Sequence, residues 1–200
     1  MDEKLISILE GAIKLFKQYG LRSISMDEIA RSLSMSKKTL YQYVDNKDDL
    51  IIKALDYIIA KTKVEEIEKD ENLNAIDVLL EISRIVRTEV VEMNPVVKFD
   101  LFKFYPSIYH KAVMKKKEMI FNDIIINFNR GIEQGLYRKD VDIELTAKLY
   151  IQNLLEIHDP EFMNAPLSKV FVVMFDTLIR SIVNEEGLKY YEQKIKPQAI

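Results

Sequence analysis

The chain has 200 residues, of which 48% are hydrophobic and 30% charged, and its formal net charge is −3. This composition excludes a disordered chain and indiscriminate polyanion binding over the whole surface, and the absence of cysteine excludes disulfides and thiolate metal sites. No apolar run approaches the roughly 18 residues of a membrane-spanning helix, and the acidic start is unlike a signal peptide, so we expect a cytoplasmic protein without a membrane partner.

The first predicted elements are two short amphipathic helices. One covers residues 4–19 and is followed by Gly20, which suits the left-handed position that ends a helix. Ser25 and Glu28 have the spacing of a capping box, so a second helix is expected from there through Leu33. Both helices carry their apolar residues on one face, and we expect these faces to turn inward.

Two further helix starts follow within a few residues. Ser36 is a good N-cap for a short helix over residues 37 to about 44. Asn46 caps another, which can run over residues 47 to about 69. Residues 25–44 therefore have the pattern of a helix-turn-helix, with a short capped helix, a turn and a second short helix.

The rest of the chain also predicts helices, without strand alternation or an internal repeat. Scattered prolines and glycines mark the helix ends, because proline disfavours helix at the residue before it. The predicted segments are 73–93, 96–104, 107–131, 143–158 and 167–184. We therefore predict an all-α protein with about nine helices.

The second helix of the helix-turn-helix has a buried and an outward side when its residues are placed at 100° intervals. With Leu40 at zero, Val44 falls at about 40°, whereas Lys38 and Gln42 fall at about 160° and 200°. In a DNA major groove, Lys38 can donate to guanine and Gln42 can pair with adenine. Four basic residues and one acid between positions 31 and 47 make this segment locally positive. The pattern alone leaves a solvated helix face open as the alternative.

Three stretches in this part of the chain resemble the DNA-binding domain of the TetR (tetracycline-repressor-like) family of transcriptional regulators. They read A-I-K-L-F-K-Q-Y-G, S-M-D-E-I-A-R-S-L and S-K-K-T-L-Y-Q-Y-V-D-N-K-D-D-L, and cover roughly residues 9–50 in the family's order and spacing. The resemblance implies a DNA-binding domain over 1–47 and a helical domain over 48–200 that dimerises and holds a ligand pocket. Two positions depart from the pattern: Ser34 and Lys38 stand where many members have glycine.

Position by position, the resemblance implies a role for each polar residue of the segment. The base-reading region corresponds to Lys37, Lys38, Thr39 and Gln42. The phosphate contacts correspond to Ser25, Tyr41, Tyr43 and Lys47. The expected partner is therefore double-stranded DNA, read through the base edges and positioned through the phosphates.

The helices predicted over 143–158 and 167–184 are apolar on more than one face, whereas an ordinary surface helix shows a single apolar stripe. Two such helices from each chain can form an isologous four-helix interface in a homodimer. The residues predicted at this interface are Leu154, Phe171, Phe175, Leu178 and Ile182. A single buried helix in a large core is the alternative.

The middle of the chain is rich in aromatic residues, which predicts a mostly apolar pocket for a small hydrophobic or aromatic effector. The residues predicted to line it are Phe99, Phe102, Tyr105, Phe121, Asn122, Phe128, Asn153 and His158. Simple core packing is the alternative for most of the aromatic residues, and satisfied structural hydrogen bonds are the alternative for the polar ones.

Together these features predict a ligand-responsive DNA-binding transcriptional regulator, namely a repressor that its effector releases from a palindromic operator. The sequence has no glycine-rich phosphate loop, nucleophile motif or ligand-type histidine spacing, so we expect no enzymatic activity, cofactor or metal. Two alternatives stay open. One is a helical small-molecule binding or carrier protein with vestigial DNA contact, and the other is a small all-α enzyme that uses the aromatic pocket.

Overall fold

The computed structural model describes residues 2–61, 64–92, 94–156 and 165–195. In these ranges the chain forms eleven helices and no sheet, which confirms the predicted all-α class. An isolated antiparallel bridge joins Tyr137 and Val183. The helices are α1 (Glu3–Tyr19), α2 (Met26–Ser32), α3 (Lys37–Leu40), α4 (Lys47–Ala60), α5 (Val64–Glu68), α6 (Ala75–Glu92), α7 (Pro95–Phe104), α8 (Pro106–Glu133), α9 (Ile143–Glu156), α10 (Leu167–Ile182) and α11 (Glu185–Ile195).

Apart from the shorter α3 described below, two parts of this helix pattern differ from the prediction of about nine helices. The single helix expected over residues 47–69 is two helices, α4 and α5. The sequence pattern ends the preceding helix near Gly187, whereas this glycine lies in the first turn of α11 and donates its N–H to Oδ1 of Asn184 at 2.9 Å. A Cβ at Gly187 would lie 2.2 Å from the carbonyl oxygen of Leu136, so the glycine is there for a close backbone approach and not for a helix end.

Helices α1–α4, α7 and the first part of α8 form one compact unit, Met1–Thr62 with Met93–Lys115, which we call the first unit. Its core is aliphatic, and its most deeply buried side chains include Ile8, Leu9, Ile29, Leu40 and Leu50. Helix α4 contributes to this core as well as α1–α3. The first unit therefore extends past residue 47, where the sequence pattern divides the chain.

Local hydrogen bonds set the ends of the helices in the first unit. The side chain of Asp2 caps α1. Gly20 ends it, with a φ of 83° and an N–H that donates to the carbonyl of Phe16 at 2.9 Å. The Oδ1 of Asn46 accepts from the N–H of Asp49 at 2.9 Å and so caps α4. The contacts at Gly20 and Asn46, which the sequence predicts, span at most four residues.

Helices α5, α6, the remainder of α8 and α9–α11 form the second unit, Lys63–Glu92 with Lys116–Ile200. A buried polar group holds part of its core together. The Nδ2 of Asn127 donates to the carbonyl of Ala75 at 2.9 Å, and the hydroxyl of Tyr137 donates to Oδ1 of Asn127 at 3.0 Å. Burial raises the pKa of Tyr137, so its hydroxyl stays a donor. Within the described ranges, no helix is both long and apolar enough to cross a membrane.

Candidate nucleic-acid interface

Helices α2 and α3 are joined by a turn that forms a Schellman motif. The N–H of Ser34 donates to the carbonyl of Arg31 at 3.0 Å, and the N–H of Met35 donates to the carbonyl of Ala30 at 2.9 Å. Ser34 occupies the left-handed position of this motif, with a φ of 52°. Serine therefore adopts the backbone conformation that glycine adopts more easily, and the turn keeps its geometry.

The chain leaves this turn into a capped helix. The Oγ of Ser36 accepts from the N–H of Thr39 at 3.0 Å, and the two hydroxyl oxygens lie 2.8 Å apart. Thr39 is half-buried and its hydroxyl is engaged by Ser36. We call residues 36–44 the recognition segment.

The regular α-helix in the recognition segment is shorter than predicted. It ends at Leu40 instead of reaching Val44. The N–H groups of Gln42 and Tyr43 donate to carbonyls three residues back, at 3.2 and 3.0 Å, whereas the N–H of Val44 returns to Leu40 at 3.2 Å. Tighter winding of this kind is common at helix ends. The tighter winding occurs here because Asn46, the N-cap of α4, has an extended backbone and lies only two residues after Val44.

The recognition segment has its apolar and polar sides where the 100° spacing predicts them. Leu40 and Val44 are buried in the core of the first unit, whereas Lys38 and Gln42 are exposed. Because Leu40 and Val44 hold the segment to the core, the exposed Lys38 and Gln42 lie on its solvent side. An ammonium donor and a carboxamide on one outward face can read base edges in a major groove.

The other two predicted base-reading residues make contacts within the protein. Thr39 is bound to Ser36 as described above. The ammonium of Lys37 forms an ion pair with the carboxylate of Asp27 on α2, and both side chains are more than half exposed. An exposed pair of this kind contributes at most about 1 kcal/mol, so a DNA phosphate can compete for Lys37.

The predicted phosphate contacts differ in how their polar groups are used. The hydroxyl of Ser25 accepts from the Glu28 N–H at 3.3 Å, and the backbone N–H of Ser25 donates to Oε2 of Glu28 at 2.7 Å, which together form the capping box. The Ser25 hydroxyl also donates to the same Oε2 at 2.7 Å. Side-chain and backbone hydrogen bonds from Ser25 lower the pKa of the Glu28 carboxyl. Tyr41 is exposed, whereas Tyr43 packs partly buried against the core of the first unit.

Lys47, the fourth predicted phosphate contact, points inward. Its side chain is half-buried, and its Nζ donates to the carbonyl oxygen of Ile24. Burial lowers the pKa of Lys47, and the negative charges of Asp100 and Glu28 oppose that shift. Asp100 lies far away in the sequence, on α7, so no local motif predicts that it is close to Lys47. The structure thus gives Lys47 an internal hydrogen-bond partner.

Three of the predicted pocket residues belong to the first unit. Phe99 and Phe102, on α7, are more than half exposed, and Tyr105 packs partly buried against the core. The ring of Phe102 meets that of Tyr109 edge to face, with centroids 5.6 Å apart. Phe99 and Phe102 therefore pack against the neighbouring rings of Phe104 and Tyr109, whereas Tyr105 packs against the core of the first unit.

The remaining predicted pocket residues belong to the second unit, apart from His158, which lies outside the described residues. Phe128 is buried in the core, with its ring centroid 5.9 Å from that of Tyr137, and Phe121 is partly buried. Asn122 and Asn153 are exposed. The predicted pocket is thus divided between the two units, because α8 contributes residues to both.

The structure corrects the choice of interface residues on α10. Their side chains are buried in the chain's own core and cannot also offer surface to a partner; they are Phe171, Phe175, Leu178 and Ile182. Leu154 on α9 is partly buried against the same core. The opposite sides of these helices expose apolar residues instead, namely Leu145 and Leu149 on α9 and Val172 and Val173 on α10. A helix that is apolar all round does not reveal in its sequence which side faces its own core.

A family model matches this part of the chain. The profile described as "Bacterial regulatory proteins, tetR family" matches residues 8–54, which include α2, the turn and the recognition segment. The uncharacterized HTH-type transcriptional regulator YvaF of Bacillus subtilis (strain 168) is 27% identical over 198 residues, which cover 93% of this chain and 97% of YvaF.

Two solved structures share the fold over most of the chain. A transcriptional regulator from Cytophaga hutchinsonii ATCC 33406 has a TM-score of 0.72 at 20% identity, covering 92% of this chain and 100% of that one. SmeT, the repressor of the Stenotrophomonas maltophilia multidrug efflux pump SmeDEF, has a TM-score of 0.66 at 12% identity, covering 90% and 91%. At these identities the two structures show a common fold alone. The matched helix-turn-helix segment, the full-length similarity to YvaF and this shared fold support a relationship of the chain to the TetR family of transcriptional regulators.

Proposed function

We propose that the chain is a repressor that binds a palindromic operator as a homodimer and releases it when a small hydrophobic or aromatic effector binds. One observation carries the DNA-binding part of this proposal. The recognition segment buries Leu40 and Val44 and turns Lys38 and Gln42 outward, in an element that the preceding turn holds at its start.

Lys38 and Gln42 supply the specificity in this proposal. An ammonium donates to O6 and N7 of guanine, and a carboxamide both donates and accepts at adenine N6 and N7. Each well-formed pair of this kind discriminates against the wrong base by about 1–3 kcal/mol. Tyr41 and the basic side chains around the segment contact phosphates, which orient the protein without reading sequence.

A homodimer is supported by the exposed apolar residues on α9 and α10. Leu149 and Val173 are each 58% exposed in the single chain. Leu145, one helical turn before Leu149, and Val172, directly before Val173, are exposed as well. Helices α9 and α10 also contact each other. Two adjacent helices with apolar outer sides can pair with the same helices of a second copy. The pair of chains then presents two recognition segments to half-sites about 34–36 Å apart.

Effector control is supported by the family and by the second unit. Proteins of the family bind small-molecule effectors as well as DNA, and SmeT is a repressor. In the second unit, Phe121 and Tyr150 are partly buried beside the small cluster of Ile124, Ala147 and Ile151. Burial raises the pKa of Tyr150, which keeps it neutral beside an apolar ligand. An effector that prefers the non-binding arrangement of the two recognition segments then lowers DNA affinity by population shift.

The conformation of Ser34 weakens the alternative that the chain is a carrier protein with vestigial DNA contact. A serine in place of the turn glycine raised the question whether the helix-turn-helix is intact. Ser34 nevertheless takes the left-handed conformation and its N–H completes the motif at 3.0 Å from the Arg31 carbonyl. The geometry of the turn therefore favours DNA binding over vestigial contact.

The test is selection of bound duplexes from a random DNA pool, at low and at moderate salt. The proposal predicts a palindrome with half-sites about one helical turn apart that survives moderate salt. The Lys38→Ala, Gln42→Ala double variant serves as the control and should enrich no common sequence. Enrichment of nothing, or only of unrelated duplexes lost at moderate salt, would indicate electrostatic contact alone and contradict the proposal.

A further inference from the structure

The segment between α1 and α2, residues 20–25, is held by α7 through side chains that the DNA-binding pattern does not include. We call it the α1–α2 loop. The carboxylate Oδ2 of Asp100 accepts from the backbone N–H of Arg22 at 3.0 Å. The guanidinium of Arg22 lies 4.4 Å from the ring centroid of Phe104. The Nδ2 of Asn94 donates to the carbonyl of Lys17, just before the loop.

Asp100 is unusual for a carboxylate because only 6% of its surface is exposed. A charged group in such a position is costly to bury unless hydrogen bonds or an opposite charge compensate it. The Arg22 N–H supplies one hydrogen bond, and the positive charge of Lys47 attracts the carboxylate. Lys47 itself binds the carbonyl of Ile24. The loop backbone is thus held at Arg22 by α7 and at Ile24 by the first residue of α4.

The fit between α7 and the loop leaves little room for movement. A Cβ at Gly20 would lie 2.8 Å from Oδ2 of Asp100 and 3.1 Å from Cγ1 of Val96. The loop leads directly to Ser25, the N-cap of α2. Helix α2 contacts α3, so the path of the loop determines where α2 begins and how the recognition segment is presented.

We propose that Asp100 is a positioning residue for DNA binding: its carboxylate fixes the Arg22 N–H and thereby the start of α2, without touching DNA. The inference rests on the proposed DNA-binding function. It assigns a role in operator affinity to a buried side chain outside the helix-turn-helix and outside the range matched to the family. Because Asp100 acts on the placement of the whole recognition segment and not on one base contact, its loss lowers affinity for the operator and for each of its single-base variants by the same factor.

Two substitutions of similar volume separate the hydrogen bond from general packing. Asp100→Asn keeps an oxygen that can accept from Arg22, whereas Asp100→Leu removes the acceptor of the Arg22 N–H. In the Leu variant we expect amide hydrogen exchange of Arg22 to accelerate about tenfold or more, and affinity for the operator and its single-base variants to fall about tenfold alike. In the Asn variant we expect most of the protection and most of the affinity to return.

Asn127→Ala is the control for general destabilisation, because it removes a buried hydrogen bond to Ala75 in the second unit. It should lower the melting temperature and leave DNA affinity within about twofold at temperatures where the protein is folded. Equal affinity of the Leu variant and the unchanged protein, or an equal loss in Asn127→Ala, would overturn the assignment.

The hydrogen-exchange measurement tests the role of Asp100 without DNA, so it can fail independently of the proposed function. In the unchanged protein, the Arg22 amide should exchange more slowly than that of Ser23 in the same loop, whether or not an operator is found. An unprotected Arg22 amide overturns the inference even if the Leu variant does not fold. Failure of the unchanged protein to bind any duplex instead overturns the proposed function, and with it the DNA-binding role assigned to Asp100.

Discussion

At the scale of single residues, Ser34 shows how a small amount of backbone strain is tolerated in the turn. A residue with a Cβ is disfavoured in the left-handed region, yet Ser34 has a φ of 52° there. The chain closes a second Schellman motif at the end of α8, where Gly135 occupies the same position with a φ of 70°. The two sites therefore compare serine with glycine in one backbone motif.

Ser34→Gly should raise the free energy of unfolding by about 1 kcal/mol, because it removes the Cβ that strains the left-handed backbone. Gly135→Ser should lower it by a similar amount, and nothing lies within 4 Å of the added Cβ to complicate the result. Urea unfolding of both variants measures the two changes. A neutral or destabilising Ser34→Gly would show that the turn is not strained.

The ion pair between Asp27 and Lys37 supports a second prediction at this scale. Asp27→Asn releases the Lys37 ammonium and removes a negative charge beside the recognition segment. Affinity for all duplexes should rise severalfold, and its dependence on salt should steepen by about one released counterion. Titrations at several salt concentrations measure both. In a protein that also carries Lys37→Gln, Asp27→Asn should raise DNA affinity by a smaller factor. An equal rise with and without Lys37→Gln would show that Lys37 does not cause it.

At the scale of elements, the sequence predicts those helix ends that are set by contacts between neighbouring residues. The capping box of Ser25 and Glu28 and the cap at Asn46 form within three residues and appear as expected. The contact from Asp100 to Arg22 joins residues 78 positions apart, so no local pattern contains it. For helix α10, the sequence predicts the apolar residues correctly. Which of its sides faces the chain's own core depends on packing, which the periodicity does not encode.

The recognition segment and the start of α4 should respond differently to substitution. Gln42→Ala should relax the preference at one base pair, because it removes a carboxamide that reads a base edge. Lys47→Ala should weaken binding to all duplexes alike, because it removes a positive charge and also the hydrogen bond to the Ile24 carbonyl. Affinities for the selected operator and its single-base variants separate the two effects. A uniform loss for both variants would contradict the assigned roles.

At the scale of the whole molecule, the account depends on two copies acting together. Val173→Glu places a charge in the centre of the exposed apolar side of α10 without altering the chain's own core. In sedimentation, the unchanged protein should have twice the mass of the 23.4 kDa chain, and the variant should be monomeric. Ile52→Glu, at an exposed apolar position in the first unit, is the control and should stay dimeric. A dimeric Val173→Glu variant would exclude this side of α10 as the interface.

The central claim is that two recognition segments read one palindrome together, and half-site spacing tests it most directly. Fluorescence anisotropy with the selected operator should give tight binding. Inserting five base pairs at its centre should reduce the affinity to that of a single half-site, because the insertion turns the half-sites to opposite faces of a helix that repeats every 10–10.5 base pairs or so. Unchanged affinity after the insertion would contradict the account, since it would mean that the two half-sites are not bound by one dimer.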